Sequence, residues 1–211
     1  MKAKYRYIFL VFSALLVLAS CSGDRKSKEP FDPKSHISES RYDEISLVEL
    51  FDYISSAGKL KSPMLNRFEL TADRDGSISN LSLEVVDTES GKSHNASYDS
   101  KSDIFKIKLD EYVAEEKKLF DLSLLESAES LLENLEADQA FSIYFLTELS
   151  SGSIDANFPQ SSDVFLLEKR GLQKIKSPEI PKSETLYFFA VHNLNSSTDY
   201  PSYFIVDPKK I

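Results

Sequence analysis

The sequence predicts an α+β fold and leaves open whether it is a tandem of two units, each a helix followed by an antiparallel β-meander. Three observations carry this. Residues 46–57 and 123–137 place leucines at helical spacing behind a serine-led start. Short runs of alternating apolar and polar residues follow each of them, the pattern of half-buried strands. The helix starts and the Gly-Ser-Ile turns also recur at nearly one interval: Ser46 to Ser123 is 77 residues, and Gly76 to Gly152 is 76.

Before these elements, Lys2, Lys4 and Arg6 give a positively charged start, and Ile8 to Leu18 is apolar apart from Ser13. The run is too short to span a bilayer, which needs about 20 residues, and it has the form of a secretory signal. It closes on Leu18-Ala19-Ser20-Cys21, which holds the only cysteine. That tetrad resembles the lipobox of bacterial lipoproteins. The resemblance implies that Leu18, Ala19 and Ser20 are read by the signal peptidase, that cleavage falls before Cys21, and that the Cys21 sulfur carries a diacylglyceryl (palmitate-type) anchor. Two or more acyl chains hold a protein to a membrane where one binds only marginally. Sorting rules of some diderm bacteria keep lipoproteins with Asp after the cysteine at the inner membrane; where those rules apply, Ser22 implies the outer membrane. The expected organisation is a signal peptide at 1–20, a lipidated cysteine and flexible tether at 21–43, and α+β units at 44–112 and 113–211, which together could form one domain.

Composition narrows the function. Loss of residues 1–20 leaves 22 Lys+Arg against 34 Asp+Glu, a formal balance of −12. Such a surface repels phosphate backbones, so no nucleic-acid partner is expected. With Cys21 acylated, disulfides, thiolate nucleophiles and cysteine metal sites are excluded. About 165 residues beyond the tether suffice for one sizeable domain or two small ones.

The elements follow in order. Ser22 to about Tyr42 has only Phe31 and Ile37 as aliphatic or phenyl side chains and reads as tether. Ser46-Leu-Val-Glu49 is a capping box, Ile45 can staple onto Leu50, and Gly58 stops the helix. Strands are expected at 65–71, 80–86, 93–98 and 104–109, with turns at Ala72–Gly76 and Asp87–Lys92. Glu111 to Phe120 reads as helix or helical linker. Ser123-Leu-Leu-Glu126 repeats the capping box, and Glu126, Glu129, Glu133 and Glu136 line the wet side of that helix. Further strands are expected at 141–149, 163–168, 185–193 and 203–206, with a loop at 176–182. The layout is similar to small periplasmic modules in which a helix packs on a meander sheet, such as the beta-lactamase inhibitor protein and PepSY-type domains, although no motif is shared.

No catalytic pattern outweighs a structural explanation. Asp73, Asp75 and Gly76 mimic the middle of an EF-hand loop, but Thr71 and Ser82 stand where terminal ligands are needed, and a hairpin turn explains the same residues. His36, His94 and His192 are far apart and lack metal-ligand spacing. Of the three, His192 has the better claim to a site, at the end of an apolar strand. No G-x-S-x-G elbow occurs. No metal and no cofactor are therefore expected. The C-terminal block is dense in aromatics, with Tyr187, Phe189, Tyr200 and Tyr203 as a candidate interaction surface; both faces of the expected 185–193 strand are apolar, and a central strand covered on both sides is the plainer reading of Tyr187 and Phe189.

The expected function is that of a lipid-anchored envelope protein, not an enzyme, which acts as a binding or structural module for a protein or another envelope component. A carrier of a small apolar ligand and a hydrolase without a recognised motif are the alternatives. Replacing Cys21 with Ser should release the chain from membranes; a variant that still sediments with them in high salt would contradict the anchor.

Overall fold

The fold was taken from a computed structural model. It describes residues 30–113, 118–146, 163–175, 186–195 and 200–211, with backbone only at 109–113. Among these residues the chain forms three helices, α1 (Pro33–Glu39), α2 (Leu47–Ala57) and α3 (Ser123–Asn134), and nine strands. The strands are β1 (Pro63–Ala72), β2 (Ile78–Asp87), β3 (Lys92–Asp99), β4 (Ile104–Val113), β5 (Phe141–Phe145), β6 (Val164–Glu168), β7 (Gly171–Lys174), β8 (Tyr187–Asn193) and β9 (Ser202–Val206). All nine join one sheet in the order β4-β3-β2-β1-β5-β8-β9-β6-β7. The fold is α+β and dominated by the sheet.

The first four strands form an antiparallel meander. Gly76 closes the β1–β2 turn at φ 90°, a backbone region that side chains resist. Asp75 takes the amide of Ser77 at 3.0 Å and its hydroxyl at 2.6 Å, which holds the Asp75 carboxyl below its ordinary range. Asp87 does similar work at the β2–β3 turn. It is 5% exposed, accepts the Ser90 hydroxyl at 2.7 Å, and ties the turn to the amide of Ser62 at 2.9 Å.

Helices α2 and α3 cover one face of the sheet. Leu47, Leu50, Phe51 and Ile54 of α2, and Leu124, Leu125, Ala128, Leu131 and Leu132 of α3, meet alternate residues of the strands: Phe68 and Leu70, Leu81 and Leu83, Phe141 and Ile143. Period 3.6 on the helices and period 2 on the strands thus converge on one core. The helix starts differ. Ser46 caps α2 as expected, accepting the Glu49 amide at 3.3 Å. At α3 the capping box does not form. Asp121 accepts the Ser123 amide at 3.0 Å instead, and Ser123 sits inside the first turn. Glu129 also leaves the solvated row assigned to it. Its carboxylate accepts the Val48 amide at 3.0 Å, so α3 satisfies a donor at the start of α2.

Three further expectations change. The expected tether is shorter, because the chain is folded from Asp32 onward. Asp32 caps α1, Pro33 occupies its first turn, and Ile37 is fully buried. Tyr42 follows it into the core, donates its hydroxyl to the Leu135 carbonyl at 2.9 Å and meets Phe141 edge to face. One apolar residue in a polar stretch was enough because a preformed cap and proline lower the entropy of the turn that carries it. Next, strand β4 runs to Val113, into the segment expected to be helical. Last, the second half is not a simple meander. After β5 the sheet continues to β8, and β6 lies parallel to β9. The loop expected at 176–182 lies outside the described residues.

Truncating Ile37 to Ala should cost about 2–5 kcal/mol, the range for a fully buried large aliphatic. Chemical denaturation checks this; a cost near zero would restore residues 32–43 to the tether.

Candidate functional site

The face of the sheet opposite α2 and α3 is polar across β1 to β5, because the strands that bury one set of alternate residues must turn the other set outward. Strand register lines these residues up in rows. Lys106, Ser97, Ser82, Glu69 and Tyr144 face one another in turn across β4, β3, β2, β1 and β5. A second row runs through Ile104, Asp99, Asn80, Thr71, Ser142 and His192. Residues of both rows line an open groove of about 410 Å³ over β1 to β4.

Beyond the groove, both rows end on aromatic rings. The Tyr144 hydroxyl and His192 Nε2 are 3.1 Å apart, and the rings stack 5.7 Å between centroids at 20°. Burial, aided by Tyr203 and Glu69, pushes the Tyr144 phenol above its ordinary pKa. It therefore stays protonated and can donate to neutral His192 or accept from its cation. Glu69 lies opposite Tyr144 in the ladder and pairs with Arg67 at 2.9 Å. Glu84 accepts the Asn66 amide at 2.7 Å and the Ser93 hydroxyl at 2.6 Å. The carboxylates Glu69, Glu84 and Asp99 are matched in number by Arg67, Lys106 and Lys108. This face offers hydroxyls, amides and mixed charge, chemistry suited to recognition by hydrogen bonds. Among the described residues the hydrogen-bond partner of His192 is a phenol and not the carboxylate that orients a general base.

The sequence-derived candidates fall in different places. Cys21 and the lipobox residues Leu18, Ala19 and Ser20 lie outside the described residues. The proposed aromatic surface does not assemble. Tyr187 and Phe189 are buried in the main core, at 8% and 0% exposure. Tyr187 bonds Ser123 Oγ at 2.5 Å beside the Asp121 cap, and its phenol is pushed up chiefly by burial. Phe188, one residue on, faces the other way into a second cluster with Val164, Leu166 and Ile205. Strand β8 is thus covered on both faces. Tyr203 is half-buried beside that cluster, and Tyr200 is exposed.

The EF-hand-like segment is the β1–β2 hairpin. Arg41 lies over it, donating to the Asp75 carbonyl at 2.9 Å, with its guanidinium where a Cβ on Gly76 would have to go. Among the described residues no three His, Cys, Asp or Glu side chains come together as a metal site. Of the other histidines, His36 reaches the Ser46 carbonyl at 3.1 Å, and His94 is buried on β3.

Sequence reasoning passed over Glu69, Ser82, Ser97 and Tyr144, although their signal was present. They are the polar partners in the same alternation that located the strands. Comparison with protein-family models, with curated proteins and with solved structures finds no match.

Proposed function

We propose that the chain is a lipid-anchored bacterial envelope lipoprotein that works by non-catalytic binding. In this reading Cys21 carries the lipid, and the face of β1 to β5 receives a protein or another envelope component. Under diderm sorting, Ser22 points to the outer membrane. One observation supports the binding role above the others: this face has aligned hydrogen-bonding rows and no covering helix among the described residues, while the opposite face is sealed by α2 and α3. No described helix is long and apolar enough to cross a membrane.

The carrier alternative needs a cavity between α3 and the aromatic strands. Against that reading, Phe120, Phe145 and Tyr187 meet edge to face, and Phe189 packs on Phe145. A hydrolase would need a nucleophile and base in contact; among the described residues the side-chain hydrogen-bond partner of His192 is the Tyr144 phenol.

We also read α2–β1 and α3–β5 as copies of one ancestral unit. Both helices open on Ser-Leu-x-Glu, and β1 and β5 pair antiparallel at the centre of the sheet. In this reading only the first copy kept its meander, and with it the widest part of the bare face.

Bulky charged substitutions on the face test the binding role. Ser82→Arg and Ser97→Arg sit on half-exposed positions and should leave folding intact. They should cut recovery of the component captured from envelope extract at least tenfold, a loss of about 1.4 kcal/mol or more. Capture unchanged by both substitutions would place the binding surface elsewhere.

A further inference from the structure

The chain is acidic overall, yet one pole of the domain is basic. Strands β6 and β9 run parallel, so both end at the same side of the sheet. There the two-residue turn Lys169-Arg170 joins β6 to β7, and Lys209-Lys210 follow β9. The Lys169 amide donates to the Lys210 carbonyl at 3.1 Å and locks the two turns side by side. With Glu168 they enclose a shallow depression of about 350 Å³ whose lining is wholly charged.

These cations are not all neutralised. Lys210 is held by Glu168 at 3.0 Å, with Asp207 4.0 Å away. Lys169, Arg170 and Lys209 have no carboxylate partner among the described residues, and all three are exposed. At physiological salt, charges more than about 8 Å apart are largely screened, so this pole acts by its own charge and not by the chain's net balance.

We infer that this pole lies against an acidic lipid surface. Two features favour a surface over a single bound phosphate. A phosphate cradle needs free backbone amides. Here the amides of Lys169, Lys209 and Lys210 are already used, the last two on Asp207. Beside the cations, Ile211 leaves 37% of its surface exposed, an apolar contact suited to the headgroup region and not to a soluble anion. The consequence is orientation: attraction at this pole would turn it toward the membrane. The inference rests on the proposed membrane location, and not on the polar face.

The test uses the whole chain with vesicles of phosphatidylcholine, alone or mixed two to one with phosphatidylglycerol, read by lysine acylation and by sedimentation. On acidic vesicles, labelling of Lys169 and Lys209 should fall several-fold, with exposed Lys101 and Lys106 unchanged, and the protection should vanish in high salt. Lys169→Gln, Arg170→Gln and Lys209→Gln together should weaken the preference for acidic vesicles roughly a hundredfold, about fivefold for each cation removed. Sedimentation with both vesicle types but equal labelling on both would overturn the inference while leaving the anchor intact. Sedimentation with acidic vesicles alone, with the same protection, would support the basic pole and count against the anchor. Sedimentation with neither would overturn both, and protection by inorganic phosphate alone would make the pole a phosphate site.

Discussion

The antiparallel pairing of β1 with β5 is the contact on which the remaining structure depends. It brings Leu70 opposite Ile143 and Ala72 opposite Phe141, directly beneath the two long helices. Leu65 extends the seam by exchanging backbone bonds with Phe120, at 2.7 and 2.9 Å. Without it there would be two smaller sheets, each with a new unpaired edge. Neither sheet would be covered fully, because α2 and α3 pack against each other as well as against the strands. Glu129 fixes that helix pair from α3, by taking an amide that α2 cannot satisfy within itself.

One-sided coverage follows from that seam. The core claims one set of alternate residues and turns the other set to the opposite face on β1 to β5. Beyond β5 the balance changes. Phe188, Ile205 and Leu166 make the outward positions of β8, β9 and β6 apolar, and all three are buried. Among the described residues the uncovered part of the sheet is therefore the part whose outward residues are mostly polar or charged. Charge is divided as unevenly as polarity, since three cations with no carboxylate partner among the described residues gather at the ends of β6 and β9 on an acidic chain.

Much of this was legible in sequence, for a local reason. Helix α2 was readable because Ser46, Glu49 and Gly58 mark its ends and leucines mark its buried side. The meander was readable because Gly76 and Gly91 punctuate strong alternation. What failed was non-local. Ile37 looks solitary until Tyr42 and the sheet are placed around it. Glu129 looks like a solvated carboxylate until α2 presents its unpaired amide. Tyr187 and Phe189 are the exception: with both faces of β8 apolar a covered central strand was the plainer reading, and the order of the sheet agrees with it. Strand β7 has one apolar residue in Gly171–Lys174, too little for periodicity to register. The polar face was hidden differently. Each member was visible, but which serine lies beside which carboxylate is decided by register, and register is set by pairing across the whole sheet.

Hydrogen exchange followed across a urea transition tests the central claim, that one seam unites the sheet. The account predicts a single cooperative transition in which the amides shared between β1 and β5 are among the last to exchange. Two separable transitions, with the β1–β5 amides exchanging before either half unfolds, would contradict it.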